Sequence, residues 1–152
     1  MSENFYRSLF VASNIIIAPF WLLMILAPKW EVTRKVVGSR WIVFPIAMCY
    51  AAPIAPFLAT DLPTLAKPNY DAIHDLFGLP RGTALAWAHI VAFDLFVARW
   101  IYLDSRSRDL NPWLMAPIMV LALLAGPFGY CLYNLLITFI GGKHPRQEAL
   151  DI

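Results

Sequence analysis

Four apolar runs, residues 9–27, 41–59, 84–103 and 112–140, occupy most of the 152-residue chain. A helix of about 20 apolar residues crosses a bilayer core, because each residue adds about 1.5 Å against a thickness of about 30 Å. A soluble domain of this size has no interior large enough to hide four such runs. Composition agrees, with 60% hydrophobic and 14% charged residues, against roughly 45–50% and 25% in soluble proteins. The sequence therefore predicts an all-α integral membrane protein, a four-helix bundle in one domain.

The second and fourth runs should be kinked. Pro45, Pro53 and Pro56 interrupt the second, and Gly126-Pro127 interrupts the fourth, where a proline removes a backbone donor and crowds the preceding turn. At 29 residues the fourth run would reach about 43 Å if straight, which exceeds the bilayer core. The first run is too long for the apolar part of a signal peptide and has no A-x-A cleavage pattern, so it reads as an anchor. Small residues recur every fourth position at Ala47, Ala51, Ala55 and Ala59, and at Ala84, Ala88 and Ala92. Such ridges let helix backbones approach, which predicts that spans two and three are tight neighbours.

Four spans place both termini on one side. Loops one and three carry six basic residues (Lys29, Arg34, Lys35, Arg40, Arg106, Arg108) against five on the other side (Arg7, Lys67, Arg81, Lys143, Arg146). The four in loop one favour termini outside. In loop two, residues 69–77 read as a short interfacial helix capped by Asn69 or Asp71. Trp41, Trp100 and Trp113 fall near run ends, as interface anchors do.

Several functions are excluded or disfavoured. There is no basic cluster interleaved with aromatics for nucleic acid and no phosphate-cradling glycine loop. Cys49 and Cys131 lie in apolar runs and read as buried free thiols rather than a disulfide or metal pair. His74 between Asp71 and Asp75 reads as a water-facing acidic loop. A bis-histidine haem site needs a second histidine within a span, and no metal or other cofactor is required.

Span three contains the residues that lipid does not explain: Trp87, His89, Asp94, Arg99 and Trp100. Asp94 falls at the centre of its run, where a charge costs about 2.5–3.5 kcal/mol even on the lenient insertion scale, so it is a site by default. Its neighbours at five residues' distance, His89 and Arg99, lie about 140° away around a helix and make poor intrahelical partners. Arg99 has the alternative of snorkelling to a headgroup. Asp94 must then find polar partners on other helices: Ser13, Asn14, Tyr50, Tyr130, Tyr133 and Asn134 form the expected network. A carboxyl kept protonated by apolar surroundings can act as a general acid, with His89 as base. Trp87, Phe93, Phe96 and Phe128 would line a groove for an elongated apolar molecule, or serve only as packing.

The stretch Ala86-Trp87-Ala88-His89, four spacers, then Asp94-Leu95-Phe96-Val97-Ala98-Arg99 resembles the abscisic-acid-deficient-four-like family, membrane proteins associated with neoxanthin synthesis in plants. Residues 22–29 with Glu31-Val32-Thr33-Arg34-Lys35, and Gly126-Pro127-Phe128-Gly129, fit the same family in the same order. The chain resembles its bare membrane core without a plastid-targeting extension, as in a bacterial member or a trimmed plant one.

The resemblance implies a protein that acts on, or holds, a carotenoid. Conversion of violaxanthin to neoxanthin opens an epoxide and makes an allene with no net redox. That reaction would suit Asp94 as acid, His89 as base and Arg99 beside the developing oxyanion. Asn14 and Asn134 join Trp87, Phe93, Phe96 and Phe128 as substrate-binding candidates. A xanthophyll isomerase is the leading expectation, and a non-catalytic carotenoid-binding or assembly subunit of a membrane pigment–protein complex is the alternative. The expected partners are a photosynthetic or pigment–protein complex, or further copies of the chain. The expected location is a bacterial inner or photosynthetic membrane, or a plastid membrane. A channel lined by Asp94 and His89 is weaker, because a four-helix monomer leaves little room for a pore.

Overall fold

The computed structural model describes residues 1–140, with every side chain among them except that of Ala52. Lys143 and Arg146, used in the orientation argument, lie outside the described residues. Among the described residues the helices follow in this order: α1 (Glu3–Leu26), α2 (Glu31–Gly38), α3 (Phe44–Ala66), α4 (Tyr70–Gly78), α5 (Pro80–Ser107), α6 (Pro112–Leu124) and α7 (Gly126–Ile140). Among the described residues, only α1 and α5 are long and apolar enough to cross a membrane unbroken. The halves of α3, Phe44–Ala51 and Pro53–Ala66, meet at a bend of 64° and would make a third crossing if taken together. The expected kink in the second span is thus present, at its prolines.

The fourth span differs from expectation. Residues 112–140 form two helices which, over the described residues, have 13 and 15 residues, fewer than the ~20 needed to cross. They also fold back on one another. A Cβ placed on Gly129 would stand 2.6 Å from Cα and N of Ala122, whereas residues seven apart in one helix are separated by about 10 Å along its axis. The turn is at Ala125, whose backbone leaves the helical region at φ −158° and ψ 81°. Among the described residues two helices, or three if the halves of α3 make one span, are long and apolar enough to cross a membrane, and a four-helix bundle is not established.

The chain divides into two compact units, one made of Met1–Ala18 and Val43–Ala92, the other of Pro19–Ile42 and the chain from Phe93. In the first, Leu9, Ala84 and Leu85 form a core against which Tyr6, Cys49, Tyr50 and Phe57 pack. Ala84, Ala88 and Ala92 are buried as their spacing implied. Ala51, Ala55 and Ala59 are exposed, so the paired-ridge expectation fails on α3, whose inward positions are instead Ile46, Pro53 and Asp61. The bend at Pro53 explains this, because it breaks the four-residue register that the ridge requires. The short helix expected in loop two is α4, and its cap is Asn69, whose side chain accepts from Ala72 N–H at 3.0 Å.

Asp61 lies in what sequence placed in loop two and is instead buried near the end of α3. Arg81, in the first turn of α5, grips it with two bonds of 2.9 Å from Nε and Nη2. Thr60 adds a third at 2.9 Å. Arg81→Leu leaves a buried carboxylate without its cation and should cost about 1–2 kcal/mol. That is less than the 3–5 of a fully buried pair, because the guanidinium is partly solvated. Denaturant unfolding in detergent checks this, and Asp61→Asn added to Arg81→Leu should recover part of the loss.

The second unit holds the end of α1, then α2, the second half of α5, α6 and α7. Residues 28–40, a loop by their sequence, contain helix α2. It is held by contacts distant in sequence: Thr33 Oγ1 donates to Ala27 O at 2.7 Å, and Tyr102 OH to Pro28 O at 2.8 Å. Thr33 and Val37 face inward.

Candidate functional site

Asp94 is buried, as its position implied, with 8% of its surface exposed. Together with Ala98, Ile101 and Ser105 it lies on the inward face of α5. Its partner is main chain rather than a polar side chain: the N–H of Gly126 donates to its carboxylate. Gly126 opens α7, where the first N–H groups of a helix have no intrahelical acceptor and carry the positive end of the helix dipole. A carboxyl oxygen there satisfies such a donor. Gly126 is required at this point because a Cβ would overlap Asp94 Oδ1 and reach within 3.0 Å of its Cγ.

Several side chains of the expected network bond elsewhere. Ser13 Oγ and Asn14 Nδ2 each donate to Phe10 O at 2.7 Å, and Asn134 Nδ2 donates to Tyr130 O at 2.8 Å. Polar side chains in helices commonly return a bond to a carbonyl three or four residues back, which relieves them of an interhelical partner. Tyr133, fully buried, donates instead to Asp104 Oδ2 at 2.5 Å. Arg108 Nε donates to the same oxygen at 2.7 Å. This cluster was missed; its signal was the four-residue spacing of Asp104 and Arg108 at the end of span three.

The other proposed site residues divide. Asn14 and Trp87 come together, with Trp87 Nε1 donating to Asn14 Oδ1 at 3.3 Å and the Trp87 ring 5.2 Å from that of Phe10. His89 is exposed, on a different face of α5 from Asp94, as a five-residue offset requires. Arg99 is engaged by main-chain carbonyls at the end of α2. Its Nε donates to Val37 O at 2.9 Å and Ser39 O at 3.2 Å, and its Nη2 to Gly38 O at 3.0 Å. It thereby caps the C-terminal carbonyls of α2 with a cation, where the dipole favours one. Phe128 is exposed, outside the groove described next.

Phe93, Phe96 and Trp100 recur at spacings of three and four, so they share the outward face of α5. With Val97, and with Pro127, Tyr130 and Cys131 of α7, they line a groove of about 370 Å³. The indole of Trp100 is held edge-on by Tyr130 at 4.9 Å and by Tyr133 at 5.8 Å. The Asp104 bond fixes Tyr133, so the Trp100 wall is set in advance. Cys131 is exposed in this groove rather than buried. His74 stands 3.4 Å from Asp75 on exposed α4 and stacks with Tyr70. No group of three His, Cys, Asp or Glu gathers among the described residues.

Among the described residues the chain is helical, and two of its helices have the length and apolar composition of membrane spans, which places it in the class of α-helical membrane proteins. The family model described as ABA DEFICIENT 4-like matches residues 8–133. The chain belongs to that family. A curated relative, Protein ABA DEFICIENT 4, chloroplastic, of Arabidopsis thaliana, is 30% identical over 110 residues, which cover 68% of this chain and 50% of that protein. The chain thus spans about half the length of the curated relative it matches. No solved structure matches it.

Proposed function

We propose that this chain binds a xanthophyll in a membrane, seating one end of the pigment in the groove between α5 and α7. The observation that carries this reading is the groove lining: Phe93, Phe96, Val97, Trp100, Pro127, Tyr130 and Cys131 offer apolar and aromatic surface. At about 370 Å³ it lies in the range of small-molecule sites. An end ring and the start of a polyene fit such a space, while the rest of the chain lies along the outward face of α5 in lipid. Stacking on Trp100 and Phe96 supplies the contact, and the two tyrosines hold the indole in place.

A second reading, the xanthophyll isomerase implied by the family, rests on the buried carboxyl of Asp94 and requires the reacting end of the pigment to reach the inward face of α5 rather than the groove. In this reading Asp94 delivers a proton to the epoxide oxygen as the C–O bond breaks. His89 removes a proton from carbon, and the electron pair released forms the allene, with no net redox. Arg99 serves the developing oxyanion only if it first leaves the carbonyls of residues 37–39. The membrane is then that of a plastid or a photosynthetic bacterium, with a pigment–protein complex or a second copy as partner.

A chromatographic carotenoid profile from a carotenoid-producing host separates the two. Wild type, Asp94→Asn and a no-protein control are compared. The binding reading expects pigment to co-purify with both variants and the profile to stay constant. A new isomer formed only by wild type would establish the isomerase reading. Absence of pigment from both proteins, with no new isomer, would remove both.

A further inference from the structure

We propose that α2 and the tryptophans at its ends form a docking surface for the anionic headgroups of a phospholipid leaflet. This inference does not depend on the xanthophyll reading. It starts from an oddity of the connection between α1 and α3. An eight-residue helix, too short to be stable alone, is anchored by bonds from Thr33, Tyr102 and Arg99. A flexible linker would join α1 to α3 without them. What the anchoring achieves is a fixed outward face.

That face is basic. Lys29, Arg34, Lys35 and Arg40 are all exposed, against two acidic residues, Glu31 on the helix and Asp109, which lines a surface depression with Lys29 and Trp30. Lys35 is paired with Glu31 at 2.7 Å, and Lys29, Arg34 and Arg40 make no ion pair among the described residues. The inward face is Thr33 and Val37. Trp30 and Trp41 flank the helix and are 55% and 65% exposed, with Val32 beside them at 41%. Large apolar rings beside uncompensated cations, next to the end of a membrane-crossing helix, suit the headgroup layer. There indoles sit among glycerol and acyl carbons while the cations meet phosphates. The charge selects the occupant, since each basic residue near an anionic leaflet gains attraction that a zwitterionic one does not supply.

The test uses the full chain in neutral detergent, with mixed micelles carrying phosphatidylglycerol or phosphatidylcholine, and lipid retention measured by native mass spectrometry. Phosphatidylglycerol should be retained in preference, and the preference should fade in 1 M salt as the screening length shrinks to about 3 Å. Replacing Lys29, Arg34 and Arg40 together by Gln should weaken phosphatidylglycerol retention about a hundredfold, roughly fivefold per residue. Lys67→Gln, exposed in the other unit, should weaken it little. Equal retention of both lipids, a preference that survives in the triple variant, or an equal loss from Lys67→Gln would overturn the proposal. Inorganic phosphate displacing the lipid at millimolar concentration would also overturn it, in favour of a free-anion site. Should the triple variant not fold, the salt titration of the wild type decides, and a salt-insensitive preference rejects the idea.

Discussion

Gly129→Ala should destabilise the second unit by about 3 kcal/mol, the upper part of the range for overpacking. The added methyl carbon would stand 2.6 Å from both the Cα and the N of Ala122 and 2.7 Å from its Cβ. Two of these atoms are backbone, so no rotamer change relieves the overlap, and α6 and α7 must part. Parting them withdraws Met115, Ile118, Met119 and Ala122 from the interior, all buried now. Thermal unfolding in a fixed detergent, followed by circular dichroism, would show the loss as a lower midpoint. Gly38→Ala is the control, since nothing lies within 4 Å of a Cβ there and an exposed change of this kind should stay within about 0.5 kcal/mol. Equal stability of Gly129→Ala and wild type would mean that residues 112–140 do not fold back at Ala125.

The second large effect concerns Asp94 and Gly126. Gly126→Ala forces a methyl group into the carboxyl of Asp94, and Asp94→Ala leaves the Gly126 N–H buried without an acceptor, a loss of about 1–3 kcal/mol. The two changes act on one contact, so they should be strongly non-additive. Adding Asp94→Ala to Gly126→Ala removes the overlap, and the double variant should be no less stable than Gly126→Ala alone. Asp94→Asn keeps an acceptor oxygen and should cost less than Asp94→Ala, which makes it the right substitution for separating chemistry from folding. Simple additivity in this cycle would show that Asp94 does not meet the start of α7.

Much of this was legible in the sequence, though unevenly. The buried carboxyl was, because lipid makes an ionisable residue at mid-span conspicuous. The proline bend of α3 and the Asn69 cap of α4 were too, since both follow from local backbone chemistry. Asp94's partner was not, because a main-chain N–H has no residue signature. Gly126-Pro127 read as a kink, but it marks the start of a new helix. Small residues at positions 122 and 129 were the only trace that the chain reverses there. Helix α2 was hidden for a different reason: its sequence, Glu31-Val32-Thr33-Arg34-Lys35-Val36-Val37-Gly38, is rich in β-branched residues with modest helix propensity. Its stability comes from Thr33, Tyr102 and Arg99, contacts that only the tertiary fold creates. Arg99 shows the consequence for function, since a residue that stood out as a catalytic candidate is engaged in holding that helix.

The groove is the centre of the account, and pigment occupancy tests it most directly. Wild type and Cys131→Trp are purified from the same carotenoid-producing host, and the ratio of carotenoid to protein is read from their absorption spectra. Cys131 is exposed and lines the groove, so the indole fills the space without entering the buried core. The account predicts bound carotenoid on wild type and at least a tenfold lower ratio on Cys131→Trp, with both proteins unfolding at similar temperatures. Equal pigment on the two proteins would place the carotenoid elsewhere and contradict it.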